Sequence, residues 1–237
     1  MSVPGQKVAI VTGASQGIGA GLVAAYRKLG YAVVATSRTI AESRDADVLS
    51  VRGDIADPTT ADRVIEAGVE RFGRIDTLVN NAGFFISKPF TDYTQEEFSS
   101  LVAVNVGGWF HVTQRALPHL LAQGGGHIVQ ITTSLVDHPN SSLPSVLASL
   151  TKGGLQAATR ALAVEYAGRG VRVNAVSPGV VKTPMHDAQA HEFLAGLHPL
   201  GRMGEVGDIV DAVIYLENAP FVTGEILHVD GGQSAGH

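Results

Sequence analysis

Val8-Ala9-Ile10-Val11-Thr12-Gly13-Ala14-Ser15-Gln16-Gly17-Ile18-Gly19 is the stretch whose reading decides the fold. Its first four residues form an apolar run short enough to be a buried strand. Gly13, Gly17 and Gly19 then allow a tight turn, and Leu22, Val23, Tyr26 and Leu29 follow at helical spacing. A strand, a glycine turn and a helix in that order aim free N–H groups and the positive end of the helix at one point, which suits a pyrophosphate. Gly13, Ser15, Gln16, Gly17, Ile18 and Gly19 are therefore the candidate phosphate-binding residues. The same pattern also serves as a plain structural turn, so the rest of the chain must discriminate.

Outward from this unit, short apolar runs recur at Ala32-Val33-Val34-Ala35, Leu49-Ser50-Val51, Thr77-Leu78-Val79, His127-Ile128-Val129, Val171-Arg172-Val173 and Ile226-Leu227-His228-Val229. Helical patterns lie between them, at about 17–29, 60–72, 94–121, 147–168 and 205–217. Strands this short and apolar read as the centre of a parallel sheet covered on both faces. The expectation is an α/β Rossmann fold, a doubly wound seven-stranded parallel sheet flanked by helices, forming one dinucleotide-binding domain over 1–237. Residues 182–200, with Pro184 and Pro199, form a long excursion and a candidate substrate-covering lid.

Composition narrows the function classes. A net charge of -5 without a basic stripe argues against nucleic acid as a partner. No uninterrupted apolar stretch of about 18 residues occurs, which argues against a membrane span. The N-terminus Met1-Ser2-Val3-Pro4-Gly5-Gln6-Lys7 lacks the layout of a secretory signal, so a cytoplasmic protein is expected. The absence of cysteine rules out disulfides and thiolate metal ligands. His186, His191 and His198 lack the spacing and acidic partners of a metal site, and no metal is expected.

The second apolar run ends Thr36-Ser37-Arg38, where an NAD-binding protein usually places a carboxylate for the adenosine ribose. Ser37 and Arg38 instead offer a hydroxyl and a bidentate cation to a 2′-phosphate, so NADP(H) is favoured over NAD(H).

Thr12-Gly13-x3-Gly17-x-Gly19, Asn80-Asn81-Ala82-Gly83, Asn174-Ala175-Val176-Ser177-Pro178-Gly179 and Val229-Asp230-Gly231-Gly232 together resemble the short-chain dehydrogenase/reductase family. The resemblance spans the chain. It implies that Asp54 and Ile55 lie near the adenine, that Asn81, Ala82 and Gly83 line the adenosine ribose, and that Pro178, Gly179 and Thr183 hold the nicotinamide end. It implies further that Lys152 bonds the nicotinamide ribose, that Asn105 organises a water, and that a hydroxyl after the fifth strand polarises the substrate. That hydroxyl is Thr133 by strand alignment or Ser134 by its distance from Lys152. The family's tyrosine stands four residues before the lysine, but this chain has Ala148 there and no tyrosine nearby. Reducing a ketone needs a proton for the developing alkoxide, which alanine cannot supply.

Two functional readings follow. One is an NADP(H)-dependent carbonyl reductase acting on a small or aromatic ketone or alcohol through an atypical proton donor, with a water on Lys152 or the imidazole of His138 as stand-ins. The other is a nucleotide-binding or redox-sensing relative that has lost catalysis. Phe84, Phe85, Phe90, Trp109, Phe193 and Met203 are candidate pocket walls. By the same resemblance a homotetramer or homodimer is expected, built on 94–121, 147–168 and the last strand.

Overall fold

The computed structural model describes residues 5–236; the reading of Met1–Pro4 as leader-free lies outside the described residues. Seven strands, β1 (Val8–Thr12), β2 (Ala32–Ser37), β3 (Val48–Arg52), β4 (Thr77–Asn80), β5 (Gly126–Ile131), β6 (Val171–Pro178) and β7 (Ile226–Val229), form one sheet. Its order is β3-β2-β1-β4-β5-β6-β7 and every neighbouring pair is parallel. Each strand coincides with one of the apolar runs, as expected of a sheet buried on both faces.

Helices cover both faces. Helix α1 (Gly17–Lys28) and helix α7 (Val206–Asn218) pack Leu22, Tyr26, Ile209, Val213 and Leu216 against Ala9, Val11 and Val33. On the other face α2 (Pro58–Phe72), α4 (Trp109–Ala122) and α5 (Val146–Tyr166) press Val64, Ile65, Val112, Leu120 and Ala163 onto Ile10, Val34 and Ile128. Burying each of the larger side chains contributes roughly 1.5–3 kcal/mol. Among the described residues no helix is long and apolar enough to cross a membrane.

The expected helix over 94–121 is three pieces: α3 (Gln95–Leu101), a π-helical stretch Val102–Gly108, and α4. A Cβ on Gly108 would stand 2.8 Å from Ile55 Cγ2, so the wider turn passes close under the loop after β3. The stretch carries Asn105. Apolar periodicity does not distinguish a π turn from an α turn, which is why one helix was expected.

At the amino ends of the strands, away from the glycine turn, Glu217 is buried under four donors. Its carboxylate accepts hydrogen bonds from Tyr26 Oη (3.1 Å), Tyr31 Oη (3.0 Å), Thr77 Oγ1 (3.0 Å) and His127 Nδ1 (2.9 Å). Asn174 Nδ2 donates to His127 Nε2 (3.1 Å), which fixes the neutral Nδ1–H tautomer. Burial pushes His127 down, whereas for Glu217 the donors outweigh burial and hold it at about 2. This network ties α7 to β4, β5 and β6.

Candidate active site

β1 and β4 are neighbours, while the chain leaves them in opposite directions across the sheet, so a crevice opens at their carboxyl ends. Thr12 Oγ1 accepts hydrogen bonds from the backbone N–H groups of Asn81 (3.0 Å) and Ala82 (2.9 Å). Asn81 Nδ2 donates to the carbonyls of Thr12 (2.9 Å) and Gly13 (3.2 Å). The Asn81 amide nitrogen therefore braces the first turn from inside, while Asn81 also lines the cleft. A cleft of about 1130 Å³ lies over this junction.

Gly13, Ser15, Gln16, Gly17 and Ile18 line one end of the cleft. Gly13 and Gly17 have φ of +66° and +53°, the region that favours glycine. No side chain caps α1, which leaves its first N–H groups open to an anion. Gly19 does not line the cleft; a Cβ there would collide with the Gly13 carbonyl, so its part is to let the helix close on the turn. Across the cleft, Thr183 Cγ2 stands 3.2 Å from where a Gly17 Cβ would be.

Ser37, Arg38, Asp54, Ile55, Ala82 and Gly83 line the same cleft. The Arg38 guanidinium is exposed and makes no hydrogen bond or ion pair among the described residues. Thr39 Oγ1 donates to Ser15 Oγ (3.4 Å) and Thr39 N–H to Ser37 Oγ (3.3 Å), so a cluster of hydroxyls adjoins that cation. Asp54 Oδ1 accepts the N–H of Ala56 (3.0 Å) and shapes the loop after β3. Thr36 Oγ1 is buried in the cleft wall without a partner among the described residues. A free guanidinium, clustered hydroxyls and a glycine cradle together fit an adenosine 2′-phosphate and a pyrophosphate.

At the other end Thr133, Ser134, Ala148, Lys152, Pro178 and Gly179 share the wall. Lys152 Nζ donates to the Ile131 carbonyl at 2.6 Å. Burial pushes this amine down to about 8, because no carboxylate compensates the lost hydration. A Gly83 Cβ would sit 3.0 Å from both Lys152 Nζ and Asn105 Oδ1, so the amine lies beneath that backbone. Ser134 is buried and its Oγ donates to Gln233 Oε1 at 2.9 Å, whereas Thr133 Oγ1 accepts the Leu135 N–H at 3.4 Å.

Asn105 is buried and does not line the cleft. Its Oδ1 accepts the Phe84 N–H (3.0 Å), and its Nδ2 donates to Phe84 O (3.1 Å) and Thr151 Oγ1 (3.2 Å). Its side chain anchors the loop that carries Phe84 and Phe85. Those two rings line the cleft; Phe90, Trp109, Phe193 and Met203 do not. Phe90 and Phe193 are exposed, and Met203 packs with Val180, Leu194 and Leu197. His138 also lies outside the lining, while His186, which was weighed only as a metal ligand, is in it. Burial and the nearby His191 push His186 down. His198 Nε2 accepts the Val180 N–H at 2.9 Å, and among the described residues no group of side chains is arranged to hold a metal.

The excursion expected over 182–200 carries the short helix α6 (His191–Ala195), leaves and returns at one bridge, Val181 to Gly204, and contributes Thr183, Pro184, Met185, His186 and Leu194 to the cleft. Gln233 was not singled out in the sequence. Its contact with Ser134 spans 99 residues, and no short motif marks it.

A family profile described as "Enoyl-(Acyl carrier protein) reductase" matches residues 13–234. The 2-(R)-hydroxypropyl-CoM dehydrogenase of Xanthobacter autotrophicus is 37% identical, over 97% of this chain and 99% of its own length. The chain belongs to the short-chain dehydrogenase/reductase family. Among solved structures, ElxO with NADP bound superimposes with a TM-score of 0.90 at 27% identity, over 98% of this chain and 100% of its own. The 3-ketoacyl-(acyl-carrier-protein) reductase of Brucella melitensis complexed with NADH gives 0.89 at 30% identity, over 96% and 98%. A tyrosine-to-phenylalanine variant of ElxO has been solved with NADPH bound. Membership makes nicotinamide-dependent oxidoreductase chemistry the frame for this cleft.

Proposed function

We propose that this member of the family transfers hydride between NADP(H) and a small or aromatic ketone or alcohol, with Lys152 supplying the proton that a tyrosine usually supplies. The carrying observation is a lysine with a depressed pKa in the same cleft wall as Ala148 and the Ser134 hydroxyl. Lys152 and Ala148 stand about one turn apart on α5 and line the same wall, and at position 148 the side chain is a methyl group.

In this reading Arg38, Ser37 and the α1 turn hold the adenosine 2′-phosphate and pyrophosphate, with Asp54 and Ile55 beside the adenine. Pro178, Gly179 and Thr183 position the other end. The bound cofactor supplies a hydride to the carbonyl carbon. Lys152 delivers a proton to the carbonyl oxygen, directly or through one water, and regains it from solvent. Phe84 and Phe85 form an apolar wall for the substrate, and 182–200 covers it and excludes water. The whole chain acts as one dinucleotide-binding unit.

The decisive test replaces Ala148 by tyrosine. A phenol beside Lys152 should raise ketone reduction by about 10²–10⁴. An unchanged rate in a variant that still binds NADPH would refute this arrangement of the site.

A second reading has a specific support: the ElxO variant shows that NADPH is held in that protein by a chain lacking one phenol. On this reading the present chain binds nucleotide and senses its level without turnover. Exposed Phe98, Phe110, Leu150 and Val164 on α3, α4 and α5 support the further proposal of a homodimer or homotetramer, to be read as mass in solution.

A further inference from the structure

Gln233 follows the last strand, in the short turn Gln233–Ala235. The turn is built tightly. Asp230 accepts the N–H groups of Gly232 (3.0 Å) and Ser234 (2.8 Å), and its carbonyl accepts that of Gln233 (3.2 Å). Gly231 and Gly232 have φ of +62° and +92°, which turns the chain back over the sheet. The Gln233 side chain is thereby buried and lines the cleft alongside Ser134, Ala148 and Lys152.

Its two polar atoms are used unequally. Oε1 accepts the Ser134 hydroxyl at 2.9 Å, whereas Nε2 is buried with no partner among the described residues. An amide nitrogen out of water and unpaired is costly, and this one belongs to a residue that lines the cleft. The bond to Gln233 also occupies the one proton Ser134 has, so its oxygen faces the cleft as an acceptor. A carbonyl oxygen arriving there needs donors, and the unpaired N–H groups of Gln233 are donors.

We propose that Gln233 is a catalytic residue of this site. Its Nε2 hydrogen-bonds the substrate oxygen and the alkoxide that forms from it, while Oε1 is held by Ser134. The amide thus takes over the hydrogen-bonding half of the role lost with a tyrosine, and Lys152 keeps the proton-transfer half. A fixed donor of this kind stabilises charge as it develops. The inference rests on the reductase reading above.

The test compares the wild type with Gln233→Met, similar in size and without N–H, and Gln233→Glu, which keeps an acceptor for Ser134. NADPH affinity, thermal midpoint and kcat/KM for acetophenone and ethyl acetoacetate are measured on each, with Ser134→Ala made in both the wild-type and Gln233→Met backgrounds. Loss of kcat/KM by about 10²-fold in both variants, with NADPH affinity unchanged, is the expected result. Adding Ser134→Ala to Gln233→Met should then cost little more. A kcat/KM within twofold of wild type in either variant overturns the role of Gln233 and leaves the reductase reading standing. A parallel fall in NADPH affinity and thermal midpoint overturns it too, as the mark of a structural residue. Wild-type protein that binds NADPH but oxidises it with neither ketone refutes the reductase reading itself, and the proposal with it.

Discussion

If Lys152 is the proton donor, pH should act on turnover through it. Burial holds its amine at about 8 rather than the ordinary 10.5. With that value about nine-tenths of it is protonated at pH 7 and about one-tenth at pH 9, so kcat for ketone reduction should fall about tenfold across that interval. The reverse oxidation, which needs the neutral amine, should rise over the same range. The assay is the initial rate of nicotinamide oxidation at saturating NADPH and ketone. Lys152→Met should lower the rate by about 10²–10⁴ and abolish the pH limb. Stability moves the other way. The unfolded chain binds the lysine proton more tightly than the folded one, so stability rises with pH between about 8 and 10.5, and at pH 7 burying the charge costs on the order of 3 kcal/mol. Lys152→Met should therefore unfold later at pH 7 while turning over more slowly. A flat rate between pH 7 and 9 in the wild type would refute Lys152 as the donor.

Two further outcomes follow from other parts of the molecule. Arg38→Asp should shift the ratio of NADPH to NADH affinity by about tenfold or more toward NADH, because a carboxylate repels a 2′-phosphate and accepts from ribose hydroxyls; competitive titration reads it. Glu217→Gln leaves four donors facing a group with one acceptor oxygen and should lower unfolding free energy by about 2–4 kcal/mol. The Glu217 carboxylate's stabilisation is complete above about pH 4.5 and lost as pH falls toward 2, so this variant should lack that acid limb in denaturant titrations.

The sheet was legible because its signal is local. Each strand is a short apolar run between helical segments, and periodicity places such runs without knowledge of their neighbours. The glycine turn and the place of Ser37 and Arg38 at the end of β2 were legible for the same reason, since both are set by residues adjacent in sequence. What stayed hidden depends on chain segments meeting late. Asn105 was expected at a water and holds the Phe84 backbone 21 residues away; Thr12 works through Asn81 and Ala82. Ser134 meets Gln233, on the turn after β7, across 99 residues of sequence. Glu217 and His127, 90 residues apart, look in sequence like a surface acid and a strand histidine.

The central claim is tested most directly by titrating NADPH and NADH separately into the purified protein, following cofactor fluorescence, and then adding acetophenone and ethyl acetoacetate. NADPH bound at least about tenfold more tightly than NADH, and oxidised only when ketone is present, is the expected result. NADH bound as tightly as NADPH, or NADPH bound and left unoxidised by both ketones, would contradict it.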